Sequence, residues 1–229
     1  MIRRHSASVL DLIVALCVIA SVASPWWISV PPAHLPETFG FQAPACWLMV
    51  IALFAALFLS HRIAVIALAF GELVLIAWFG WAMLVVTTPR FTSLGFPFIG
   101  SDLIGPGWYA AAIGLLVTAA LVVKDLIDKD VPVGWDLWVL TALPGYGLVR
   151  LGRWSSGLAW AALFSAALYF ASTDSLDPLQ FTEYGGTGNV PPAYPREPEW
   201  VLLALAGVLF VASVAATAWR RWKELSTGD

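Results

Sequence analysis

Charged residues are scarce in this sequence. Only 12% of its 229 residues are Asp, Glu, Lys or Arg, whereas 60% are hydrophobic and the mean hydropathy is +0.81. Water-soluble globular domains carry about twice this charged fraction. The composition therefore excludes an ordinary soluble domain and indicates a chain whose solvent is the lipid bilayer.

Concentrated positive charge is also missing. The formal net charge is −3, and the 12 Lys and Arg residues lie singly or in small groups near the ends of apolar runs. A protein that binds nucleic acid needs a basic field over one surface. We therefore expect no nucleic-acid partner, and we expect membrane lipids and other integral membrane subunits instead.

Cysteine and histidine are too few and too scattered to indicate a redox or metal site. Cys17 and Cys46 fall in different apolar runs and form no CxxC motif. His5, His34 and His61 lie near the ends of apolar runs, and no two share a helical face. A nucleophile motif such as GxSxG is absent as well. We predict no catalytic residue, no metal site and no cofactor, and hence a protein that is not an enzyme.

Six apolar runs predict the fold class. They cover residues 9–27, 46–60, 63–86, 107–123, 154–171 and 200–219. The first four form two hairpins, because Pro- and Gly-rich segments alternate with a tight basic turn at His61 and Arg62. The sequence therefore predicts an all-α polytopic integral membrane protein with six transmembrane helices, the last two forming a third hairpin.

Tryptophan supports this topology. Of the 13 Trp residues, ten lie at the ends of the predicted spans, and the other three are Trp78, Trp81 and Trp160. Indole rings prefer the membrane interface because they combine an apolar body with a polar N–H group. We therefore expect the ten residues at span ends to be interfacial anchors.

The segment between the fourth and fifth runs determines which side each loop faces. It is apolar at 138–149 but is interrupted by Pro144, Gly145 and Gly147. If it crossed the membrane, six Lys and Arg residues would lie on each side; if it does not, ten lie inside and two outside. The positive-inside rule favours the second topology. We therefore predict an interfacial or shallow re-entrant segment at 135–153, packed on other helices, and cytoplasmic chain termini in an inner (plasma) membrane.

Three parts follow from these assignments. Residues 1–123 form a four-helix transmembrane half, and residues 124–137 form a charged cytoplasmic linker around the run KDLIDKD. Residues 138–229 contain the interfacial segment and the last hairpin. The outer loop of that hairpin, at 172–199, carries five acidic residues and many Pro and Gly residues. Because such a composition cannot build its own core, we expect the loop to lie on a partner.

The docking candidates in this loop are the residues best able to contact a partner. They are Tyr184, Tyr194 and Arg196.

One sequence motif carries a family resemblance. Within LPGYGLVRLGRWSSGL at 143–158, the residues that form it are Pro144, Gly145, Gly147, Leu151, Gly152, Arg153 and Gly157. The motif resembles the turn of bacterial TM2-type membrane hairpin families, although Val149 and Arg150 stand where an aromatic pair is usual. The resemblance implies a membrane hairpin in a bacterial protein, without a settled chemistry.

A single acidic residue lies in the middle of an apolar run. Glu72 is ten residues from Arg62, roughly 15 Å along a helix, which places it near the bilayer midplane. A carboxyl group costs about 2.5 kcal/mol or more at this depth. We expect a proton relay, a cation site or a hydrogen bond to a partner. The structural alternative is a protonated carboxyl bonded to a neighbouring helix.

Small residues recur every four positions on the last two runs. Gly157, Ala161 and Ser165 share one face of the fifth run, and Ala212 and Ala216 share one face of the sixth. Such rows let helices approach closely. We expect them to be packing faces, either within the chain or against another subunit.

Two functions are compatible with these features. We favour a non-catalytic accessory or scaffolding subunit that takes part in the assembly of a larger membrane complex, packing through its small-residue faces and its outer loop. The alternative is a small transporter or proton-coupled carrier that uses Glu72, with the broken segment at 144–147 lining its pathway. A lipid-modifying enzyme is disfavoured because a catalytic base and metal ligands are missing.

Overall fold

The computed structural model describes residues 9–27, 38–86, 104–172 and 197–227. These residues are mostly helical. The helices are α1 (Val9–Ala23), α2 (Pro44–Phe58), α3 (His61–Val86), α4 (Pro106–Asp128), α5 (Trp135–Leu140), α6 (Tyr146–Arg150), α7 (Trp154–Ser172) and α8 (Glu197–Thr227). Two short strands, β1 (Pro25–Trp27) and β2 (Thr38–Phe39), pair antiparallel, and a 3₁₀ turn at Gly40–Gln42 follows them.

Three helical stretches are long and apolar enough to cross a membrane. They are His61–Trp81, Pro106–Asp128 and Ala204–Ser226. Three further apolar helices are shorter, at Val9–Ala23, Pro44–Phe58 and Trp154–Leu168. The all-α prediction is confirmed, but the described helices do not support six spans. A helix of 15 residues such as α1 extends about 22 Å, which is less than the hydrocarbon thickness of a bilayer.

α4 continues into the segment predicted to be a linker. It ends at Asp128, so that the first part of 124–137 is helical. Lys124 donates a hydrogen bond to Asp128 at 3.0 Å, and Lys129 donates one to Asp125 at 2.9 Å. Pairs four residues apart stabilise a helix, and here they support its last turn. The apolar stretch therefore ends before the helix does, and the helix itself ends within the charged run.

The N-terminal half is organised around α4. This helix packs on α1, α2 and α3, and it also contacts α6. Small residues permit the close approach, since a Cβ added at Gly114 would lie 3.2 Å from Cys17 Cβ on α1. Buried positions occur along the whole length of α4, from Gly107 to Leu126. α4 is therefore the element through which the other helices of this half are held together.

Two of the predicted interfacial tryptophans belong to the core instead. Trp26 is 0% exposed, and its Nε1 donates to the carbonyl oxygen of Ser21 at 2.9 Å. Its ring meets Trp78 edge to face, with ring centroids 5.6 Å apart. Trp108, on α4, is also buried. The interfacial prediction is wrong for Trp26 and Trp108 because β1 and the start of α4 fold over the end of the helix bundle, where Gly105 N–H donates to the Trp26 carbonyl at 3.1 Å.

The broken segment at 135–153 forms two short helices, α5 and α6, joined by a turn at 141–145. The tip of the turn lies on α7, because a Cβ at Gly145 would clash with the Gly157 carbonyl oxygen and lie 3.0 Å from the Ala161 nitrogen. Gly145 also has a φ of +85°, which favours glycine. Gly157 and Ala161 lie about 5 and 10 Å from the start of α7, so the turn packs on the first part of that helix. The prediction that this break packs on other helices is confirmed.

The contact between the turn and α7 gives a stability prediction. In Gly157→Ala the new methyl group would meet the Gly145 carbonyl oxygen at 2.6 Å and the Val149 nitrogen at 2.9 Å. We expect this overpacking to cost about 1–3 kcal/mol and to lower the thermal unfolding midpoint in mild detergent, followed by tryptophan fluorescence.

Gly207→Ala is the matched control, because nothing lies within 4 Å of a Cβ at that position of α8. Alanine favours a helix interior over glycine by about 1 kcal/mol, so this variant should be as stable as the parent chain or slightly more stable. Equal midpoints for Gly157→Ala and Gly207→Ala would show that the turn does not press on α7.

Candidate functional site

A cavity of about 230 Å³ lies between α3 and α4 on one side and α7 on the other. The turn between α5 and α6 contributes Leu143 and Pro144 to its wall. Apart from Glu72 and Ser165, the residues that line it are apolar. The cavity therefore joins three features that the sequence suggests separately: the intramembrane carboxyl, the broken segment and the small-residue row of the fifth run.

Helical spacing brings each part of the lining to the cavity. On α3 the lining residues are Glu72, Leu75, Ile76 and Phe79, which are spaced as neighbours on one helical face. On α4 they are Trp108, Ala112, Leu115 and Leu116, and on α7 they are Ala161, Phe164, Ser165 and Leu168. A hydrogen bond from Trp108 Nε1 to the Leu75 carbonyl oxygen, 3.2 Å long, ties α4 to α3 beside the cavity.

Glu72 is the one ionisable side chain among the described residues that line this cavity. It is half-buried on α3. Within the described ranges its carboxyl group has neither a hydrogen-bond donor nor a cationic partner. The described part of the chain therefore does not support a protonated Glu72 bonded to a neighbouring helix, and the carboxyl group faces a largely apolar space.

Hydrogen bonds and close packing fix the turn that closes one end of the cavity. The buried Tyr146 hydroxyl donates to the Leu116 carbonyl oxygen on α4 at 2.5 Å. Burial raises the pKa of Tyr146, so the hydroxyl keeps its proton and remains a donor. On the other side, a Cβ at Gly147 would lie 2.7 Å from Thr217 Cγ2 of α8. The turn is thus held by α4, α7 and α8 together.

A buried ion pair holds α5 to α6. Arg150 Nε lies 2.7 Å from Asp136 Oδ2, and the two side chains are 3% and 11% exposed. Arg150 Nη2 also donates to the Val131 carbonyl oxygen at 2.6 Å, and Gly134 N–H donates to Asp136 Oδ1 at 2.8 Å. Both charges are therefore paired and hydrogen-bonded, which a buried pair requires.

In the sequence analysis, Arg150 serves only as one of the basic residues counted to decide which side of the membrane each loop faces. No sequence signal connects it with Asp136, because the two residues lie on opposite sides of a helix break and share no helical period. An apolar segment of this length with one Asp and one Arg is, however, a general reason to look for a pair.

The predicted packing residues lie at contacts within the chain. Gly157 is buried under the turn, and Ala161 and Ser165 line the cavity. On α8, Ala212 and Ala216 are half-buried. α7 and α8 pack on each other. The buried positions of α8 include Ala206, Ser213 and Thr217, so Ala212 and Ala216 lie beside the buried face.

The candidates in the outer loop, Tyr184, Tyr194 and Arg196, lie outside the described residues. Within the described ranges, no group of three or more His, Cys, Asp or Glu side chains is placed to hold a metal ion. Among the described residues that line the cavity, Glu72 and Ser165 carry the polar side chains. What it offers is an apolar chamber with one carboxyl group, which suits binding of an amphipathic molecule or exchange of a proton.

The ion pair gives a second prediction. Arg150→Gln alone or Asp136→Asn alone leaves a buried group without its partner, and we expect each to cost about 3–5 kcal/mol of unfolding free energy. The double variant Arg150→Gln, Asp136→Asn should cost less than the sum of the two single changes. Unfolding in mixed micelles with increasing SDS measures these differences.

The exposed pair Lys124 and Asp128 is the matched control, because its side chains are 61% and 58% exposed. Lys124→Met and Asp128→Asn should each change the stability by less than about 1 kcal/mol. If the buried single variants behave like these exposed ones, the pair does not hold α5 to α6.

No protein-family model, curated protein or solved structure matches this chain. The resemblance of residues 143–158 to the turn of bacterial TM2-type hairpins therefore stays a prediction from the sequence.

Proposed function

We propose that this chain is a small proton-coupled membrane carrier for lipophilic molecules. The observation that carries the proposal is the cavity: Glu72, unpartnered within the described residues, faces a largely apolar space, and the turn between α5 and α6 forms part of the cavity wall. An intramembrane carboxyl group in such a place is by default functional. A broken segment that lines the cavity is a common feature of transporters.

The proposal includes the direction of the chain in the membrane. It places α1, α2, α3, α4, α7 and α8 across a bacterial inner membrane, with both chain termini in the cytoplasm. Ten of the 12 basic residues then lie inside, as the positive-inside rule favours. The short helices α1 and α2 would be accommodated by local thinning of the bilayer, at a cost of fractions of a kcal/mol per Å.

The packing of α7 supports a movement that opens the cavity. α7 packs mainly on α6 and α8 and only weakly on α3 and α4. The C-terminal hairpin of α7 and α8 can therefore rock against the N-terminal half about the turn between α5 and α6. Rocking of one helix group against another around a fixed site is how many carriers alternate their access.

The lining favours a lipophilic cargo over a hydrophilic one. A sugar or an amino acid would lose its hydration in a chamber where, among the described lining residues, only Glu72 and Ser165 carry polar side chains. Burying unpaired polar groups costs several kcal/mol in total. An apolar molecule avoids that cost.

Proton coupling predicts a shape change that depends on Glu72. Spin labels on two exposed residues, Leu73 of α3 and Leu163 of α7, should report distance distributions that differ between about pH 5 and about pH 9, because protonation removes the charge from the chamber. In Glu72→Gln we expect one distribution at both pH values. Double electron–electron resonance in lipid nanodiscs measures these distances.

Asp128→Asn, which neutralises an exposed carboxylate outside the cavity, should keep the pH response. A parent chain whose distances do not change with pH would contradict proton coupling. A change of distances with pH that persists in Glu72→Gln would also contradict proton coupling through Glu72.

We also propose a second candidate, an accessory subunit of a larger membrane complex, because α7 exposes another row of small residues. Ser155, Ala159, Ala162 and Ala166 are exposed and recur at helical spacing. Exposed small residues on a membrane helix allow the close approach of a partner helix. The acidic outer loop would then lie on the same partner.

Native mass spectrometry of the chain, purified in mild detergent from its own membranes, tests this candidate. A subunit should carry partners at fixed stoichiometry, and Ala162→Leu should release them because the larger side chain blocks close approach. Ala215→Leu, at an exposed position of α8, should keep them. A bare monomer or a homo-oligomer would contradict the subunit role.

A further inference from the structure

We propose that the cavity takes a lipophilic monocation, with an aromatic or branched apolar body and one positively charged nitrogen placed beside Glu72. This inference rests on the proposed function, in which the cavity binds an apolar cargo. It adds the charge of the cargo and assigns its recognition to particular side chains.

Charge complementarity is the first argument. No cationic side chain is found among the described residues that line the cavity. Arg150, which lies in α6 next to the turn, is already paired with Asp136. An ionised carboxylate in an apolar chamber is unfavourable until a cation joins it. A cationic ligand would therefore meet no competitor within the described lining.

Aromatic rings supply the second argument. Phe79, Trp108 and Phe164 line the cavity together with Glu72. The Phe79 and Trp108 ring centroids lie 5.8 Å apart. Trp108 Nε1 is bonded to the Leu75 carbonyl oxygen, so the indole N–H is not available to a ligand. Aromatic rings attract organic cations, and cages of such rings recognise quaternary ammonium groups.

The volume limits the size of the cargo. A dry engineered cavity of roughly 150 Å³ in another protein holds benzene. By proportion, the 230 Å³ here would hold about nine or ten non-hydrogen atoms. Benzyltrimethylammonium and its para-fluorinated form, with eleven and twelve non-hydrogen atoms, are slightly larger, and the cavity is open enough for part of the probe to extend out of it. Neopentylbenzene has the same shape without the charge, because a carbon replaces the nitrogen.

The pair of probes separates recognition of charge from recognition of shape. We would titrate the full chain in mild detergent with the para-fluorinated forms of both molecules and follow binding by fluorine NMR. Glu72→Gln should weaken binding of the cation about tenfold or more, the loss typical of a charge-assisted contact, and should change binding of the neutral probe little. Glu72→Asp, which keeps the charge, should restore part of the affinity for the cation.

Ala112→Phe tests whether the probes enter the cavity, because this variant fills the chamber from α4. It should abolish binding of both probes, whereas Ala204→Phe, at an exposed position of α8, should not. Retention of the parent unfolding midpoint shows that each variant is folded.

The outcomes distinguish this inference from the proposed function. If the cation binds the parent chain and Glu72→Gln with equal affinity, the inference that the cargo is a monocation is wrong. If Ala112→Phe still loses the neutral probe, the proposed function with an apolar cargo is kept. Occupation by a lipid chain would give the same result, since an acyl chain offers no cation. If Ala112→Phe binds both probes as tightly as the parent chain does, the cavity is not the site at which they bind.

Discussion

The structure depends on keeping backbone polar groups satisfied where the chain leaves the helical conformation between α5 and α6. Apolar surroundings tolerate such a break only if its N–H and C=O groups find partners within the protein. The Gly145 carbonyl oxygen accepts from the nitrogens of Leu148 and Val149, and Arg153 N–H donates to the Leu148 carbonyl oxygen. Arg150 Nη2 donates a hydrogen bond to the Val131 carbonyl oxygen. With these bonds made, the turn can carry Pro144 to the cavity wall.

Much of this arrangement follows from the sequence, and the reason is periodicity. Apolar runs locate all the long helices, and the cluster of Pro144, Gly145 and Gly147 locates the break, because proline and glycine disfavour a continuous helix. Glu72 is recognisable because a carboxyl group in an apolar run needs an explanation. The number of membrane spans is harder to predict from the sequence. α1 ends at Ala23, ahead of Pro25, and β1 then uses residues that the apolar pattern alone assigns to the helix.

Features that depend on which neighbour a residue meets could not be predicted. In the sequence, a tryptophan that faces headgroups at the end of an apolar run looks the same as Trp26, which lies in the strand β1 and is buried in the core. The Asp136–Arg150 pair is hidden for a similar reason, since its partners meet across a break that has no fixed period. Small-residue rows show that something approaches closely, but they do not show whether the approaching group is a turn, a helix or another subunit.

One row of small residues accounts for both the tight contact and the cavity. At Gly157 the turn fills the space that a side chain would need. A Cβ added there would lie 2.6 Å from the Gly145 carbonyl oxygen. Further along the same face, Ala161 and Ser165 line the cavity, and their small side chains leave the gap to α3 and α4 unfilled. A larger residue in this row would close the chamber, and without the turn the chamber would lose one of its walls. The sequence that fixes the turn between α5 and α6 therefore also contributes to the space that Glu72 faces.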